Sequence, residues 1–152
     1  MKRLRLFTLA IAVAFAFTMS IAHALTPVAG FGNNPGNISM FKFVPSAPKP
    51  NAPMVVVLHG CTQNPEGYDG QTGWTELAER HQFYLLFPKT TTANNYYGCF
   101  NWFEPTDYRR DLGEAESIEN MVLTMLNDHS IDQSRIFVTG VSAGASMAAN
   151  LL

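Results

Sequence analysis

Arg135 to Leu152, reading R-I-F-V-T-G-V-S-A-G-A-S-M-A-A-N-L-L, constrains this chain more than any other stretch. Ile136, Phe137 and Val138 have the β-branched and aromatic composition of a buried strand. Gly140, Val141, Ser142, Ala143 and Gly144 then spell G-x-S-x-G, and a string of helix formers from Ala145 to Leu152 follows. Strand, G-x-S-x-G and helix in that order is the context in which the motif denotes a nucleophile elbow. The turn is so tight that Ser142 must sit on strained backbone with its Oγ clear of the sheet. Gly140 and Gly144 lack Cβ atoms and let strand and helix pass close together. The N–H of Ala143, first in the helix, points where an oxyanion forms and is helped by the helix dipole. Ser142 is therefore the expected nucleophile.

In the fold built on this elbow the acid and histidine of a triad come after the serine. No Asp, Glu or His follows Ser142. The expectation is an N-terminal portion, cut short after the elbow, whose triad acid and base lie beyond residue 152 and which is inactive alone. One sheet edge is expected to be open, with strand faces left uncovered.

The opposite end carries Lys2, Arg3 and Arg5, an apolar run from Leu6 to Phe17, and Ala22-His23-Ala24. That is the layout of a secretory signal peptide over residues 1–24, the apolar run being too short to span a bilayer comfortably. Cleavage after Ala24 removes three of the ten Lys and Arg, leaving seven against twelve Asp and Glu, a formal charge of −5. Nucleic acid is thereby disfavoured as a partner. A secreted location, extracellular or periplasmic, makes Cys61 and Cys99 a candidate disulfide, since both follow central strands at the same sheet edge.

Residues 25–53 read as an entry segment with an edge strand. Thr26 to Gly36, rich in Gly, Pro and Asn, is expected to be irregular, Ile38 to Val44 a strand, and Pro45 to Pro53 a stiff connection. Residues 54–152 read as the N-terminal part of an α/β domain. Met54 to Leu58 is continuously apolar, as in a parallel strand covered on both faces. Trp74, Leu77, Ala78 and His81 have helical spacing, and Phe83 to Phe87 is a second buried strand stopped by Pro88. Lys89 to Arg110 is a long aromatic loop. Asp111 and Glu114 resemble a capping box, before a helix with Leu112, Ala115, Ile118, Met121, Val122, Met125 and Leu126 on one face. Strands alternating with helices predict a mostly parallel, doubly wound sheet.

In such sheets ligands sit at the carboxyl ends of the strands. His81 and His129 precede strands and belong at the far edge, near helix C-termini where the dipole favours positive charge. His59, directly after Leu58, is on the correct edge. His59-Gly60-Cys61-Thr62 follows the strand that supplies the second oxyanion donor, and Gly60 lets an N–H of Cys61 or Thr62 face the serine. His59 reads as a loop-shaping residue; the alternative is a Ser142–His59 dyad. Tyr96, Tyr97, Phe100, Trp102 and Phe103 either line an apolar cleft, with Trp102 on the substrate, or pin the long loop to the sheet.

L-H-G-C-T-Q at 58–63, G-W-x-x-L-A at 73–78, C-F-N-W-F at 99–103 and G-V-S-A-G-A at 140–145 resemble the esterase and polyhydroxybutyrate depolymerase family of α/β-hydrolases. Acetylxylan and feruloyl esterases are relatives. The resemblance, covering Val55 onward, implies a secreted carboxylic ester hydrolase with Ser142 as nucleophile and an oxyanion hole at Cys61 and Ala143. Ala145 stands where many members have a third glycine. The partner is then an ester or polyester. No cofactor is implied, and no metal, because no His, Cys and carboxylate cluster has ligand spacing. Acyl transfer on the same elbow and a non-catalytic remnant or binding protein are the rival readings.

Overall fold

The computed structural model describes residues 24–152. The signal peptide expected over 1–24 lies outside them but for its last residue. Five strands form one mixed sheet in the order β1-β2-β4-β3-β5. They are β1 (Thr26–Val28), β2 (Ser39–Phe43), β3 (Ala52–Leu58), β4 (Tyr84–Lys89) and β5 (Ile131–Gly140). β4, β3 and β5 run parallel, while β2 pairs antiparallel with β4 and β1 antiparallel with β2. The entry segment thus gives two strands rather than one, and β1 takes the outer edge. Its short Thr-Pro-Val run is hidden in a turn-rich stretch, and the ladder with β2 makes it a strand.

Strand alternation assigns the two faces. Met40, Met54, Val56, Leu58, Tyr84 and Leu86 point into one apolar cluster, with Ile118, Met121, Met125 and Met147 from the helices above it. Phe43, Val57, Leu85 and Phe87 point into the other, against Tyr68 and Ala78. The helices α1 (Pro65–Thr72) and α2 (Trp74–His81) cover that second face. The helices α4 (Gly113–Asp128) and α5 (Ala143–Asn150) cover the first. β3 and β4 are therefore buried on both sides, as their continuous apolar runs predict, and the expected uncovered face is found at β5. On β5, Phe137, level with Val55, is 55% exposed.

The structure departs from the sequence reading at Pro88 and at the capping box, and it adds one helix, α1. Pro88 does not stop its strand; it pairs with Met40 of β2 and lies past the last registered pair with β3, Val56 with Leu86. α1 has no apolar period, yet Pro65 occupies its first turn and the Asn64 side chain accepts from Gly67 N–H at 2.8 Å. The capping box does not form. Leu112 is the N-cap of α4 without a side-chain bond, Asp111 has φ 61°, and the Glu114 side chain is turned into the interior. Leu112, ahead of the helix, is accordingly exposed, while Ala115, Ile118, Met121 and Met125 carry the buried face. The long loop also includes one short helix, α3 (Pro105–Tyr108).

Candidate active site

β5 delivers the chain to the carboxyl edge of the sheet, where it must reverse into α5 within two residues, the second of them in a strained conformation. The strained residue is Ser142, at φ 54° and ψ −122°. A non-glycine residue there is strained and persists only because its surroundings hold it. Val141 N–H donates to Leu58 O at 3.2 Å, tying the turn to β3, and Gly144 N–H donates to Val141 O at 2.9 Å, closing it. The two glycines are sterically required. A Cβ on Gly140 would lie 2.5 Å from the carbonyl carbon of Gly144, and one on Gly144 would lie 2.5 Å from His59 O. Ser142 is exposed and its side chain makes no capping bond, so its Oγ is free at the rim. Ala143, buried beside it, opens α5, and its N–H has no partner within the helix.

The turn after β3 lies against this elbow: a Cβ on Gly60 would be 3.4 Å from Ser142 Cβ. Three of its polar groups are occupied. Gly60 N–H donates to Gln63 Oε1 at 2.8 Å, Thr62 N–H donates to Tyr97 O at 2.8 Å, and Gly60 O accepts from Gln63 N–H at 3.3 Å. Of the two donors that the sequence leaves open, Thr62 is thus engaged elsewhere, and Cys61 N–H is the one without a partner among the described residues.

His59 is 1% exposed, and its Nδ1 lies 2.7 Å from Gly60 O. A carbonyl only accepts, so Nδ1 carries the proton. Nε2 is buried with no hydrogen-bond partner, which leaves no Ser142–His59 dyad. Burial, and then the Lys89 charge, hold the imidazole below its ordinary pKa against the opposing pull of Gly60 O, so the ring is neutral at neutral pH. The ring packs on Phe100, 5.0 Å between centroids. In a trans peptide the N–H of Cys61 points opposite to the C=O of Gly60. Fixing that carbonyl from His59 and Gln63 therefore fixes the direction of Cys61 N–H.

Cys61 and Cys99 are joined by a disulfide, Cα to Cα 4.1 Å, which bolts this turn to the aromatic loop. In that loop Phe100 is fully buried, whereas Tyr96, Tyr97, Trp102 and Phe103 face solvent. One ring thus pins the loop, and the other four lie on its surface. Trp102 stacks edge-on against Phe103 at 5.5 Å, and its carbonyl accepts from Asn150 Nδ2 of α5 at 2.8 Å.

The other histidines are remote. His81 closes α2, and His129 caps α4 before β5, against Tyr84 and 3.1 Å from Lys42 Nζ. The charge-favouring dipole expected at His129 is overridden: burial first, and then Lys42, push its pKa down. Sequence reasoning missed Gln63, the Tyr97 carbonyl and the buried carboxyl of Glu114. Gln63 lies three residues from Gly60 in the same turn and could have been found as an acceptor for its amide; the other two depend on contacts distant in sequence. Among the described residues no cluster of His, Cys, Asp and Glu could hold a metal ion, and no helix is long and apolar enough to cross a membrane.

Residues 38–152 match the family model described as esterase PHB depolymerase. The chain is 52% identical over 135 residues to poly(3-hydroxyalkanoate) depolymerase C of Paucimonas lemoignei, covering 89% of this chain and 32% of that protein. It is 34% identical over 125 residues to acetylxylan esterase A of Aspergillus awamori, covering 82% of this chain and 40% of that one. The solved acetyl xylan esterase from Aspergillus awamori superposes with a TM-score of 0.78 at 32% identity, over 84% of this chain and 46% of the other. The chain therefore spans between a third and two fifths of these curated relatives, and its sheet is of the α/β-hydrolase type.

Proposed function

The chain belongs to the esterase PHB depolymerase family, and on that premise we propose that it forms the N-terminal part of a secreted serine hydrolase of carboxylic esters. One observation carries this reading: exposed Ser142, on strained backbone, stands beside two unpaired N–H groups, those of Ala143 and Cys61. Ser142 Oγ attacks the ester carbonyl carbon while its proton passes to a general base. The carbonyl oxygen, now negative, is held by the N–H groups of Cys61 and Ala143. Collapse of the tetrahedral intermediate breaks the bond to the alcohol, which leaves with the proton from the base. Water then adds to the acyl-enzyme by the same route, releasing the acid and restoring Ser142. His59 is engaged by Gly60 and is not that base. The triad acid and histidine come from sequence beyond residue 152.

The substrate we favour is an aliphatic polyester of the poly(3-hydroxyalkanoate) kind. The higher identity is to a depolymerase of that polymer, and Tyr96, Tyr97, Trp102 and Phe103 offer exposed rings for an apolar chain, with Trp102 against the scissile region. Export follows from the signal at 1–24, and the secreted protein should begin at Leu25 on N-terminal sequencing; an intact Met1 would refute the processing.

The full-length polypeptide containing this segment tests the chemistry. It should hydrolyse p-nitrophenyl butyrate and clear a polyhydroxybutyrate film, and Ser142→Ala should lower kcat by roughly 10⁴-fold or more without unfolding the protein. Retained turnover in the Ala variant would overturn the assignment of the nucleophile. Release of acetate from acetylated xylan with no action on the polyester would overturn the substrate.

A further inference from the structure

Glu114 is the most deeply buried charged residue on the aromatic-loop side of the sheet, at 0% exposure. It lies on α4, yet its side chain reaches away from that helix. Oε2 accepts from Asn101 N–H at 2.7 Å, and Oε1 accepts from Thr90 Oγ1 at 3.2 Å. Burying a carboxyl group costs several kcal/mol unless its bonds compensate, so this one is an anchor for whatever it holds. What it holds is the loop. Asn101 Oδ1 accepts from Asn95 Nδ2 at 2.9 Å, and Asn101 Nδ2 donates to Asp107 Oδ2 at 3.1 Å. Asn95 Oδ1 in turn accepts from Tyr97 N–H at 3.0 Å and Cys99 N–H at 3.4 Å, which shapes the tight turn between them. From that turn two links reach the elbow: Tyr97 O receives Thr62 N–H, and Cys99 is bonded to Cys61.

We infer that Glu114 is a positioning residue for the oxyanion peptide, acting through Asn101 and Asn95 on the turn that holds Cys61 and Thr62 beside Ser142. This rests on the proposed role of Cys61 N–H. Occupying Thr62 N–H with Tyr97 O leaves Cys61 as the donor at that turn, and the disulfide sets how far it stands from Ser142. A donor displaced by a fraction of an ångström loses its grip on the developing oxyanion far more than on the uncharged ester. The effect of releasing the anchor therefore falls on kcat and spares KM.

The test uses the full-length polypeptide with p-nitrophenyl butyrate, each rate expressed per folded molecule by near-ultraviolet circular dichroism. Glu114→Leu, which leaves Asn101 N–H unsatisfied, should lower kcat on the order of 10- to 100-fold with KM within about threefold. Glu114→Gln keeps an acceptor oxygen for Asn101 and should recover most of that loss. Asn95→Ala should reproduce the defect, and Glu114→Leu combined with Asn95→Ala should be little worse than either alone, because both break one chain. Should Glu114→Leu fail to fold, Asn95→Ala against Glu114→Gln still decides. A folded Asn95→Ala with undiminished kcat, or costs that multiply in the double variant, would overturn the inference. A wild-type protein without Ser142-dependent hydrolysis would instead sink the proposed function, a result distinct from either of these.

Discussion

Glu114 shows how one side chain can be read two ways. By spacing it is the third residue after an acidic cap; in the fold it is a buried carboxyl pushed up to about 7, first by desolvation and further by Asp107, against the hydrogen bond from Asn101. A carboxyl whose pKa is higher folded than unfolded holds its proton in the native state over a range where the unfolded chain has lost it. The stability it contributes is present below its ordinary value of 4.5 and is lost as pH rises toward 7. The size is on the order of 3 kcal/mol at most. Urea unfolding at pH 5 and pH 8 should therefore show wild type losing ground to Glu114→Gln at the higher pH. A stability difference between the two that does not move with pH would mean that the carboxyl is not desolvated.

At the scale of elements, the loop from Lys89 to Arg110 gains its order from contacts outside itself. Asn94 Nδ2 donates to Gly36 O, Asn150 Nδ2 donates to Trp102 O, and the disulfide closes a separation of 38 residues. In the chain-entropy model a loop of that length makes the crosslink worth on the order of 2–4 kcal/mol. Cys99→Ser should lower the unfolding free energy by about that amount and depress kcat as well, because the same bond carries Cys61 to the elbow. Non-reducing peptide mapping of the native protein should show Cys61 linked to Cys99. Two alkylatable thiols in native protein would refute the pairing.

For the whole molecule the decisive feature is β5, which ends the sheet among the described residues. Phe137 on it and Val141 just past its end are exposed. A cleft of about 470 Å³ runs between α4, β5 and the end of α5, lined by Ile118, Val122, Ile136, Val138 and Leu151. It contains neither Ser142 nor the Cys61 turn, so it is bare apolar surface separate from the candidate site. A polypeptide of residues 25–152 is expected to self-associate through this edge. Analytical ultracentrifugation should find oligomers, and Phe137→Lys should shift them toward monomer. A monomeric wild-type segment at tens of micromolar would contradict this.

Some of this was legible from residue order alone, because it depends on neighbours in the chain. The elbow is local: only with glycines at 140 and 144 can the chain turn from strand into helix that tightly about Ser142, and the spacing announces it. The parallel strands are legible too, since Met54 to Leu58 and Tyr84 to Phe87 must be apolar on both faces wherever the helices pack. Short β1, aperiodic α1 and Pro88 within β4 were not legible, because ladder bonds and caps outweighed propensity there. Nor was the choice between Cys61 and Thr62. It was made by Tyr97 O, thirty-five positions along the chain, which takes the Thr62 N–H. The tautomer of His59 and the buried carboxyl of Glu114 were likewise decided by tertiary packing, since both follow from which polar groups meet once water has been expelled.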